Sequence, residues 1–534
     1  MTEQKGFEIR IPHPGCSGRG ADRANPAMEH VGIPPEKLPG FMEIKADGSL
    51  IVRRDRMGLN TLRFAQTEEN SLLFSDSMLL LAGRLGRVTL DRTSLCEHLT
   101  YRYVSGTRTL FREISSVPAG YRVVFSPDGG SGWFSRLERD SAFDWGAQNR
   151  PAAFDTSRAF EALFTETVGR LSEGCGYIFF SGGLDSALVA SACPEAPRAI
   201  TAGTEEKAFD ECPRAELAAG QMGLRWAGAR MSGKAFLETM RRAVSASYGT
   251  LPVEQLVSYL MLLDRFAPEG PILSGYGADF LFGEGQRKYW TVLKLSKILG
   301  AISMKLCLDL YGMSGQRQRQ QARTAGLFLK RRTDGDTWVD MMPVLDPPCD
   351  PAIARTALGL ETLPDYHEHR RRMLVDEMPP HLTQKVFVTY SNLIADTVSS
   401  WSRMLSAAGC ELRLPFLSDE MIDFVCGLDP RSYLRVFSGK PVIRDLAVRR
   451  LPPGILRLPK MSGTLPVWKW ISTPGGGFED LLESLGNRGI VDLAPLRDSI
   501  REYERYGYLP LWAAVNLELL LEELEQAGVR VEGP

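Results

Sequence analysis

The chain has 534 residues, of which 44% are hydrophobic and 24% are charged. This length exceeds what one ordinary hydrophobic core supports, and the composition is typical of a globular protein with more than one domain. The formal net charge of −2 argues against bulk nucleic-acid binding, which usually requires a basic surplus. No apolar run is long enough to span a bilayer, so we expect neither a nucleic-acid nor a membrane partner.

Nine cysteines are scattered along the chain without a CxxC pair, which is not the pattern of a disulfide framework. The first residues, MTEQKGFEIR, do not place an apolar core after a basic segment as a signal peptide does. Both observations predict a cytoplasmic protein with reduced cysteines.

The N-terminal part of the chain predicts a β-rich domain. Residues 1–38 are rich in Pro, Gly and charge and lack a sustained period, so we predict an irregular leader. From residue 41 to about residue 125, short alternating runs between turn signals predict a mostly antiparallel β region, with one helical stretch near residues 92–103. Residues 126–149 are predicted as a linker, which places this domain at residues 39–150.

Residues 151–534 predict a parallel α/β domain with a helical extension. An apolar strand precedes a Gly-rich turn and a helix at residues 176–192, and the same succession recurs at Ala199 and at Pro271. Strands that alternate with helices indicate a parallel sheet with helices on both faces. Beyond Phe282 the sequence predicts helices almost throughout.

The segment SGGLDS (residues 181–186) follows the first of these strands. Gly182 and Gly183 lack Cβ atoms, so backbone N–H groups there can approach phosphate oxygens, and the next helix directs its positive end to the same anion. Ser181 and Ser186 add hydroxyl donors. Asp185 would repel a phosphate unless it holds a cation, so we predict Mg²⁺ between this carboxylate and a pyrophosphate group.

This segment resembles the SGGxDS loop of the ATP pyrophosphatases. From about residue 40 to residue 525, the chain resembles the asparagine synthetase family and its relatives, the β-lactam and carbapenam synthetases. The resemblance implies a sheet of the adenine nucleotide α-hydrolase type, ATP and Mg²⁺ as cofactors, and a shortened glutaminase-like domain before it. The pair Asp210-Glu211 fits two interpretations equally well: the family's acidic pair near the adenine, or charge that suits a helix N-terminus.

The segment LSGYGAD (residues 273–279) resembles the pyrophosphate-side loop of the family. Gly275 and Gly277 then belong to the phosphate-binding backbone, and Asp279 matches a second Mg²⁺ ligand that pairs with Asp185. Tyr276 stands where asparagine synthetases carry Asp or Glu, whereas β-lactam synthetases carry Tyr. The resemblance implies that this Tyr helps to deprotonate an attacking amine; a pocket-lining aromatic residue is the alternative.

A third matching stretch lies at residues 401–417. Arg403 and Glu411 match family positions there, so both are candidate supporting residues of the site. In β-lactam synthetases a Glu in this stretch is the partner of the Tyr. Ser402 occupies that position here and cannot serve as the base, so the Tyr–Glu pair is incomplete unless another carboxylate replaces it.

Two basic segments complete the resemblance. Lys440 and Arg444 resemble the segment that follows the third stretch, and we include Lys440 among the supporting residues. Lys460, in the sequence LPKMSG, matches the lysine that stabilises developing negative charge, as a preorganised cation does. A solvated surface lysine is the alternative interpretation.

The N-terminal end differs from the family pattern. Glutamine-dependent asparagine synthetases use an N-terminal cysteine as the amidase nucleophile, whereas residue 2 is Thr here and Cys16 lies among Pro and Gly. We therefore expect a degenerate glutaminase-like domain and a nitrogen source other than glutamine.

Together these residues predict an AMP-forming, ATP-dependent C–N ligase. The first hypothesis is a synthetase of natural-product (antibiotic) biosynthesis. It would adenylate a carboxylate of a small molecule or peptide and close a lactam with an amine of that substrate. Tyr276 favours the small ring of the β-lactam synthetases, whereas Ser402 and the long helical stretch favour the macrolactam of the lasso-peptide cyclases.

Two alternatives remain open. One is an asparagine synthetase-like enzyme that uses ammonia or an external amine, and the other is a non-catalytic peptide-binding partner. Tyr276 and Phe280 disfavour the first, and the presence of Asp185, Asp279 and Lys460 disfavours the second. Biosynthetic partner proteins or a homodimer are further expectations.

Overall fold

A computed structural model describes residues 8–11, 29–31, 41–45, 49–127, 133–139, 156–282, 351–362, 364, 396–428, 440–459, 461, 465–473, 477–503 and 508–534. The architecture is a β-rich N-terminal region followed by a parallel sheet with helices, which confirms the predicted fold class.

The N-terminal region consists of short strands in two antiparallel sheets. In chain order the strands of this region are β1 (Glu8–Ile11), β2 (Glu29–Val31), β3 (Phe41–Ile44), β4 (Leu50–Arg53), β5 (Arg63–Gln66), β6 (Leu72–Ser75), β7 (Arg87–Thr89), β8 (Ile114–Ser116), β9 (Tyr121–Pro127) and β10 (Trp133–Arg139), and all except β7 belong to these two sheets. One sheet has the order β2-β1-β6-β5-β8 and the other β10-β9-β4-β3. Apolar side chains from both sheets, among them Ile9, Val52, Phe74 and Phe125, are buried together and form a small sandwich core.

Two segments of this region differ from the sequence-based predictions. β1 lies in the segment predicted as an irregular leader, and β10 lies in the predicted linker, so both predictions are wrong there. β1 pairs with β6, and Ile9 lies opposite Phe74. A strand of four residues is too short to show the alternation of apolar and polar residues, and its partner is distant in the sequence. β10 pairs with β9 along its length at the edge of its sheet, where Phe134 is 68% exposed and the sequence does not look like a buried strand.

The second region contains a parallel sheet, as predicted. Its strands are β11 (Tyr177–Phe179), β12 (Arg198–Thr204), β13 (Trp226–Met231), β14 (Gly270–Ser274) and β15 (Cys410–Arg413). Their order is β13-β12-β11-β14-β15, and every neighbouring pair is parallel. The connections run outward in both directions from β11, so the loops after β11 and β14 face the crevice at a topological switch point, where open α/β sheets bind ligands.

Helices flank the sheets and fill the space between the two regions. They are α1 (Met78–Leu85), α2 (Arg92–Tyr101), α3 (Thr156–Leu171), α4 (Leu184–Ala192), α5 (Cys212–Met222), α6 (Gly233–Ser247), α7 (Gln255–Phe266), α8 (Ala278–Leu281), α9 (Pro351–Ala357), α10 (Asp419–Cys426), α11 (Pro441–Arg450), α12 (Pro453–Leu456), α13 (Val467–Ile471), α14 (Phe478–Asn487), α15 (Leu493–Tyr503) and α16 (Leu509–Gln526). Residues 396–407 form another helix, named the 396–407 helix below, and Pro415–Leu417 form a 3-10 turn. The helix predicted near residues 92–103 is α2, which begins where the Asp91 side chain accepts a hydrogen bond from the Ser94 N–H.

A continuous hydrophobic core joins the two regions. It includes Leu95 of α2, Ile178 of β11 and most of α16, whose side chains are buried around the whole helix. α16 packs against α2, α6 and α14, and a last strand, β16 (Arg530–Glu532), pairs in parallel with β7. No described helix is both long and apolar enough to cross a membrane.

Candidate active site

The SGGLDS segment forms the turn between β11 and α4 at the carboxyl edge of the parallel sheet. The hydroxyl of Ser181 accepts a hydrogen bond from the Gly183 N–H at 3.3 Å, and the hydroxyl of Ser186 donates to the Gly183 carbonyl at 3.3 Å. The turn is therefore held by its own side chains, and Gly183 is the residue that precedes the first turn of α4. An anion placed here meets the positive end of that helix.

Gly182 has a structural role that the sequence does not reveal. Its φ is +68°, and a Cβ atom on it would lie 2.9 Å from Cα of Ala215 and 3.1 Å from Cβ of Ala218 on α5. No larger side chain fits, because the turn packs directly against that helix. Gly182 is buried and is not among the residues that line the neighbouring cavity, so phosphate contact by Gly182 stays a prediction.

The segment at residues 273–279 approaches the first turn from the adjacent strand, β14. A Cβ atom on Gly275 would lie 2.6 Å from the Ser186 nitrogen, so the two turns touch through their backbones. Gly277 has a φ of +100°, and a Cβ atom on it would collide with the side chain of Leu417. Both glycines are required by this close packing, which brings the predicted Mg²⁺ ligands Asp185 and Asp279 into the same space.

Lys440 connects these two carboxylates. Its Nζ lies 2.5 Å from Oδ2 of Asp185 and 2.7 Å from Oδ1 of Asp279, and its side chain is only 7% exposed. Burial alone would lower the pKa of Lys440, but the two carboxylates outweigh it and raise the pKa above its ordinary value. The site therefore holds a permanent positive charge between two negative ones.

The same two carboxylates fit the needs of Mg²⁺. They come from neighbouring strand ends and are near enough to contact one cation, and Mg²⁺ in nucleotide sites commonly takes one or two carboxylates together with phosphates and water. Among the described residues, no cluster of three or more His, Cys, Asp or Glu side chains could enclose a metal by itself. Asp185 and Asp279 would hold the ion, with nucleotide oxygens in its remaining positions.

A cavity of about 510 Å³ opens beside the two turns, within the size range of nucleotide and cofactor sites. Its lining includes Ser181, Gly183, Asp185, Ser186, Thr201, Phe209, Glu211, Arg214, Tyr259, Gly275, Tyr276, Asp279, Phe280, Trp401, Lys440 and Arg444. Charged groups lie near the two turns, whereas aromatic and aliphatic side chains form most of the rest of the described wall, together with a few uncharged polar ones such as Thr201 and Gln255. The cavity therefore combines a phosphate-compatible end with an apolar end.

The apolar end is built around Trp401, which is fully buried. The ring of Tyr259 stacks on it at 4.2 Å with an interplanar angle of 11°, and Tyr276 meets it edge to face at 5.7 Å. Phe280 lies 5.5 Å from Tyr276. Tyr276 thus belongs to a rigid aromatic wall, because stacked and edge-on rings hold each other in place.

Comparison with known proteins assigns the chain to a family. The model of the family described as asparagine synthase matches residues 160–522, which contain every strand of the parallel sheet. The chain belongs to the asparagine synthase family. A model described as a glutamine amidotransferase domain matches residues 42–132, within the β-rich region. The chain is also similar to asparagine synthetase [glutamine-hydrolyzing] 1 of Bacillus subtilis (strain 168), with 19% identity over 460 residues, 80% of this chain and 67% of the relative.

Membership of the asparagine synthase family implies an ATP-dependent ligase that forms amide C–N bonds. The cavity agrees with this coarse assignment, since one end suits a triphosphate and the same space continues past it. The resemblance inferred from the motifs is therefore confirmed at the level of the family.

Two of the predicted supporting residues lie away from the site. Arg403 forms an ion pair with Asp76 at 3.2 Å and stacks over the ring of Tyr248, toward the N-terminal region. It is two positions after Trp401, so on the 396–407 helix the two side chains point to different faces. Glu411 pairs with Arg413 at 3.0 Å and lies near the start of β15, away from the carboxyl edge. Arg403 and Glu411 are therefore not among the residues that line the described cavity, and a supporting role for them stays a prediction.

The other predicted positions differ in where the structure places them. Ser402 is not among the cavity-lining residues, although Thr397 and Trp401 of the same helix are. Lys460 lies outside the described residues, while Leu458 and Met461 on either side of it line the cavity. Of the three supporting residues, Lys440 alone contacts the predicted metal ligands.

Sequence reasoning missed Arg214. This residue of α5 lines the cavity, and a Cβ atom on Gly183 would lie 3.4 Å from its Nη2. Burial lowers the pKa of Arg214 although Glu211 raises it, so its charge is only partly compensated by the protein. No motif marks Arg214, and its position depends on how α5 packs on Gly182. The sequence feature that could have indicated Arg214 is its position as a basic residue shortly after the Asp210-Glu211 pair.

Proposed function

We propose that this protein is an ATP-dependent synthetase that adenylates a carboxylate of its substrate and closes a lactam with an amine of the same substrate. AMP and pyrophosphate are the by-products, and natural-product biosynthesis is the setting. The observation that carries the proposal is that Asp185, Asp279 and Lys440 meet at one end of a cavity whose wall contains Tyr276.

The first step requires a triphosphate held with its α-phosphorus toward the apolar end. A substrate carboxylate oxygen attacks that phosphorus, the bond to the β-phosphate oxygen breaks, and pyrophosphate leaves. Lys440, Arg214 and Arg444 would provide positive charge, and bound Mg²⁺ would neutralise phosphate oxygens. The described apolar wall would exclude water, which protects an acyl adenylate from hydrolysis.

The second step requires a neutral amine. The amine nitrogen attacks the acyl carbon, loses a proton, and expels AMP, so the net change in the substrate is loss of one water. We assign Tyr276 as the proton acceptor, because it lines the cavity and its ring is fixed by Trp401 and Phe280. A neighbouring cation would be needed to make the phenol basic enough.

A second candidate function is amide formation with ammonia or an external amine. The observation that favours it is the match of residues 42–132 to a glutamine amidotransferase domain, together with the similarity to a glutamine-hydrolysing asparagine synthetase. The two candidates differ in the mass of the product, because lactam closure removes one water and no atoms are added.

A pyrophosphate-release assay over a panel of amino carboxylic acids and linear peptides tests the proposal. We expect release to depend on substrate and Mg²⁺, and to be lost in Asp185→Ala but not in Asp264→Ala, a control outside the cavity. Products would then be weighed by mass spectrometry with and without glutamine or ammonium. A product that gains nitrogen would favour the second candidate, and absence of both ATP binding and pyrophosphate release would reject both.

A further inference from the structure

A second cavity lies between the N-terminal region and the 396–407 helix. Its volume is about 70 Å³, far smaller than the ATP-sized cavity but well above the roughly 10–15 Å³ that one water molecule needs. Its charged lining residues are Arg54, Arg63, Arg102, Arg108 and Asp396, and Ser400 is one of several lining residues that carry a hydroxyl group. Four arginines thus line one small space, and Asp396 is the one carboxylate among the described residues that line it.

Arg54 is held in this wall by neutral groups. Its side chain is 4% exposed and donates to the backbone carbonyls of Asn60 at 2.7 Å, Val117 at 3.0 Å and Gly58 at 3.1 Å. Carbonyl oxygens orient a guanidinium but do not cancel its charge. The carboxylates of Asp55 and Asp396 offset part of the cost of burying that charge, but burial outweighs them and lowers the pKa of Arg54.

Arg63 lies in a similar environment. One of its nitrogens donates to the Asp76 carbonyl at 2.7 Å, which is again a neutral acceptor. Burial, followed by repulsion from Arg403, lowers the pKa of Arg63 to about 9, although Asp396 and Asp76 act in the opposite direction. Among the described residues, Asp396 and Asp76 therefore offset the burial of this positive charge only in part.

Arg108 is the better compensated member of the group. It forms an ion pair with the fully buried Glu97 at 3.3 Å. Burial raises the pKa of Asp396 to about 6, although the positive charges of Arg54 and Arg63 act in the opposite direction. Among the described lining residues, four arginines therefore stand beside one carboxylate, Asp396.

From the cavity, and from the four arginines and single carboxylate among its described lining residues, we propose that this space binds a small inorganic anion such as phosphate or sulfate. The size of the cavity excludes a nucleotide. Guanidinium groups bind tetrahedral oxyanions well because their N–H groups form paired hydrogen bonds. The site is separate from the larger cavity, and the proposal does not rest on the proposed reaction.

The position of the anion links the two regions of the chain. Arg54, Arg63, Arg102 and Arg108 belong to the N-terminal region, whereas Asp396 and Ser400 belong to the 396–407 helix. The same helix places Thr397 and Trp401 in the wall of the larger cavity beside the two turns, in which we propose that ATP binds. A bound anion would therefore stabilise the contact on which the position of Trp401 depends.

Thermal unfolding in the presence of added anion tests this site. Phosphate, sulfate and chloride would be titrated from zero to a few millimolar at constant ionic strength, in a buffer without other small anions. We expect phosphate or sulfate to raise the unfolding temperature of the unaltered protein with a saturating dependence. Arg63→Gln should abolish the response, and the exposed Arg136→Gln control should leave it unchanged. A saturating response to chloride with the same dependence on Arg63 also supports a small-anion site.

Asp396→Asn gives an independent test with the opposite sign. Removal of the carboxylate that lines the described part of the cavity should lower the half-saturating anion concentration roughly fivefold to tenfold. An equal response in Arg63→Gln and the unaltered protein, or one that is lost only in Lys440→Gln, would place the anion elsewhere and overturn the proposal. If Arg63→Gln does not fold, unchanged or weaker anion binding in Asp396→Asn overturns it.

Discussion

The ammonium group of Lys440 lies 2.5 Å from a carboxylate oxygen of Asp185, although 255 positions separate the two residues. Lys440 also contacts Asp279, so one side chain bridges both predicted metal ligands. An ion pair in this position has two effects. It lowers the cost of keeping two carboxylates close together before ATP arrives, and it competes with a divalent cation for the same oxygens.

Lys440→Gln should therefore separate metal binding from catalysis. We expect tighter Mg²⁺ binding in the absence of ATP, because two carboxylates lose their competing cation. Pyrophosphate release should fall by about 10²–10³-fold, the usual effect of removing one group that stabilises developing charge. Calorimetric Mg²⁺ titration and the pyrophosphate assay measure the two effects. Lys234→Gln, at an exposed position of α6, is the matched control, and unchanged Mg²⁺ affinity in Lys440→Gln would contradict the bridging role.

Gly275→Ala should disable the site without unfolding the protein. The new Cβ atom would lie 2.6 Å from the Ser186 nitrogen, so the two turns must move apart. We expect loss of ATP binding, measured by calorimetry, with near-native circular dichroism. Gly220→Ala is the comparison, because nothing lies within 4 Å of a Cβ there and the residue is inside α5. That change should stabilise the protein by about 0.5–1 kcal/mol. Equal ATP affinity in Gly275→Ala and the unaltered protein would show that the turns are not closely packed.

Tyr276→Phe distinguishes proton transfer from packing. The ring contacts with Trp401 and Phe280 remain in this variant, whereas the hydroxyl is lost. If Tyr276 accepts the proton of the amine, substrate-dependent exchange of pyrophosphate into ATP should persist, and amide formation should fall by about 10²–10⁴-fold. Equal loss of both reactions would mean that the residue only shapes the cavity.

His98 predicts an acid-sensitive contact between α2 and α16. Its Nε2 lies 3.1 Å from the Ala513 carbonyl, which can only accept, so the neutral ring carries its proton on that nitrogen. Burial lowers the pKa of His98 to about 4 from an ordinary value of 6.5. The unfolded chain then binds more protons than the folded chain between these two values, and stability falls as the pH decreases through this window.

The expected loss from His98 is about 3 kcal/mol over the whole window and on the order of 2 kcal/mol at pH 5. Urea unfolding at pH 7.5 and pH 5 measures it. His98→Gln keeps an N–H donor but does not titrate, so it should lose less stability than the unaltered protein between these pH values. Parallel losses in both proteins would rule out His98 as the source.

The sequence predicts most of the parallel sheet and the two turns, because these features are local. A buried strand, a Gly-rich turn and a helix N-terminus follow one another at residues 177–186, and adjacent strand ends bring Asp185 and Asp279 together. The chemistry of these residues also predicts a bound cation, because two carboxylates beside a predicted phosphate site would otherwise repel the phosphate.

Features that depend on distant partners could not be predicted in the same way. β1 becomes a strand because β6 accepts it, and Arg403 turns away from the site because Asp76 of the N-terminal region forms its ion pair. The match of Arg403 to a family position gave no information about which face of the helix carries it. Gly182 was assigned to phosphate contact alone, and its packing against α5 appears only in three dimensions.

The pairing of β16 with β7 restricts how the protein can be divided. A fragment of residues 39–150 would leave β7 without that neighbour and would expose the face of α2 that α16 covers. Unpaired strand edges and apolar faces recruit other chains, so such a fragment should aggregate rather than fold alone. A chimera with a relative would therefore have to exchange β16 and α16 together with the N-terminal region. These two elements of the C-terminal half pair with β7 and cover α2, so they complete the packing of that region.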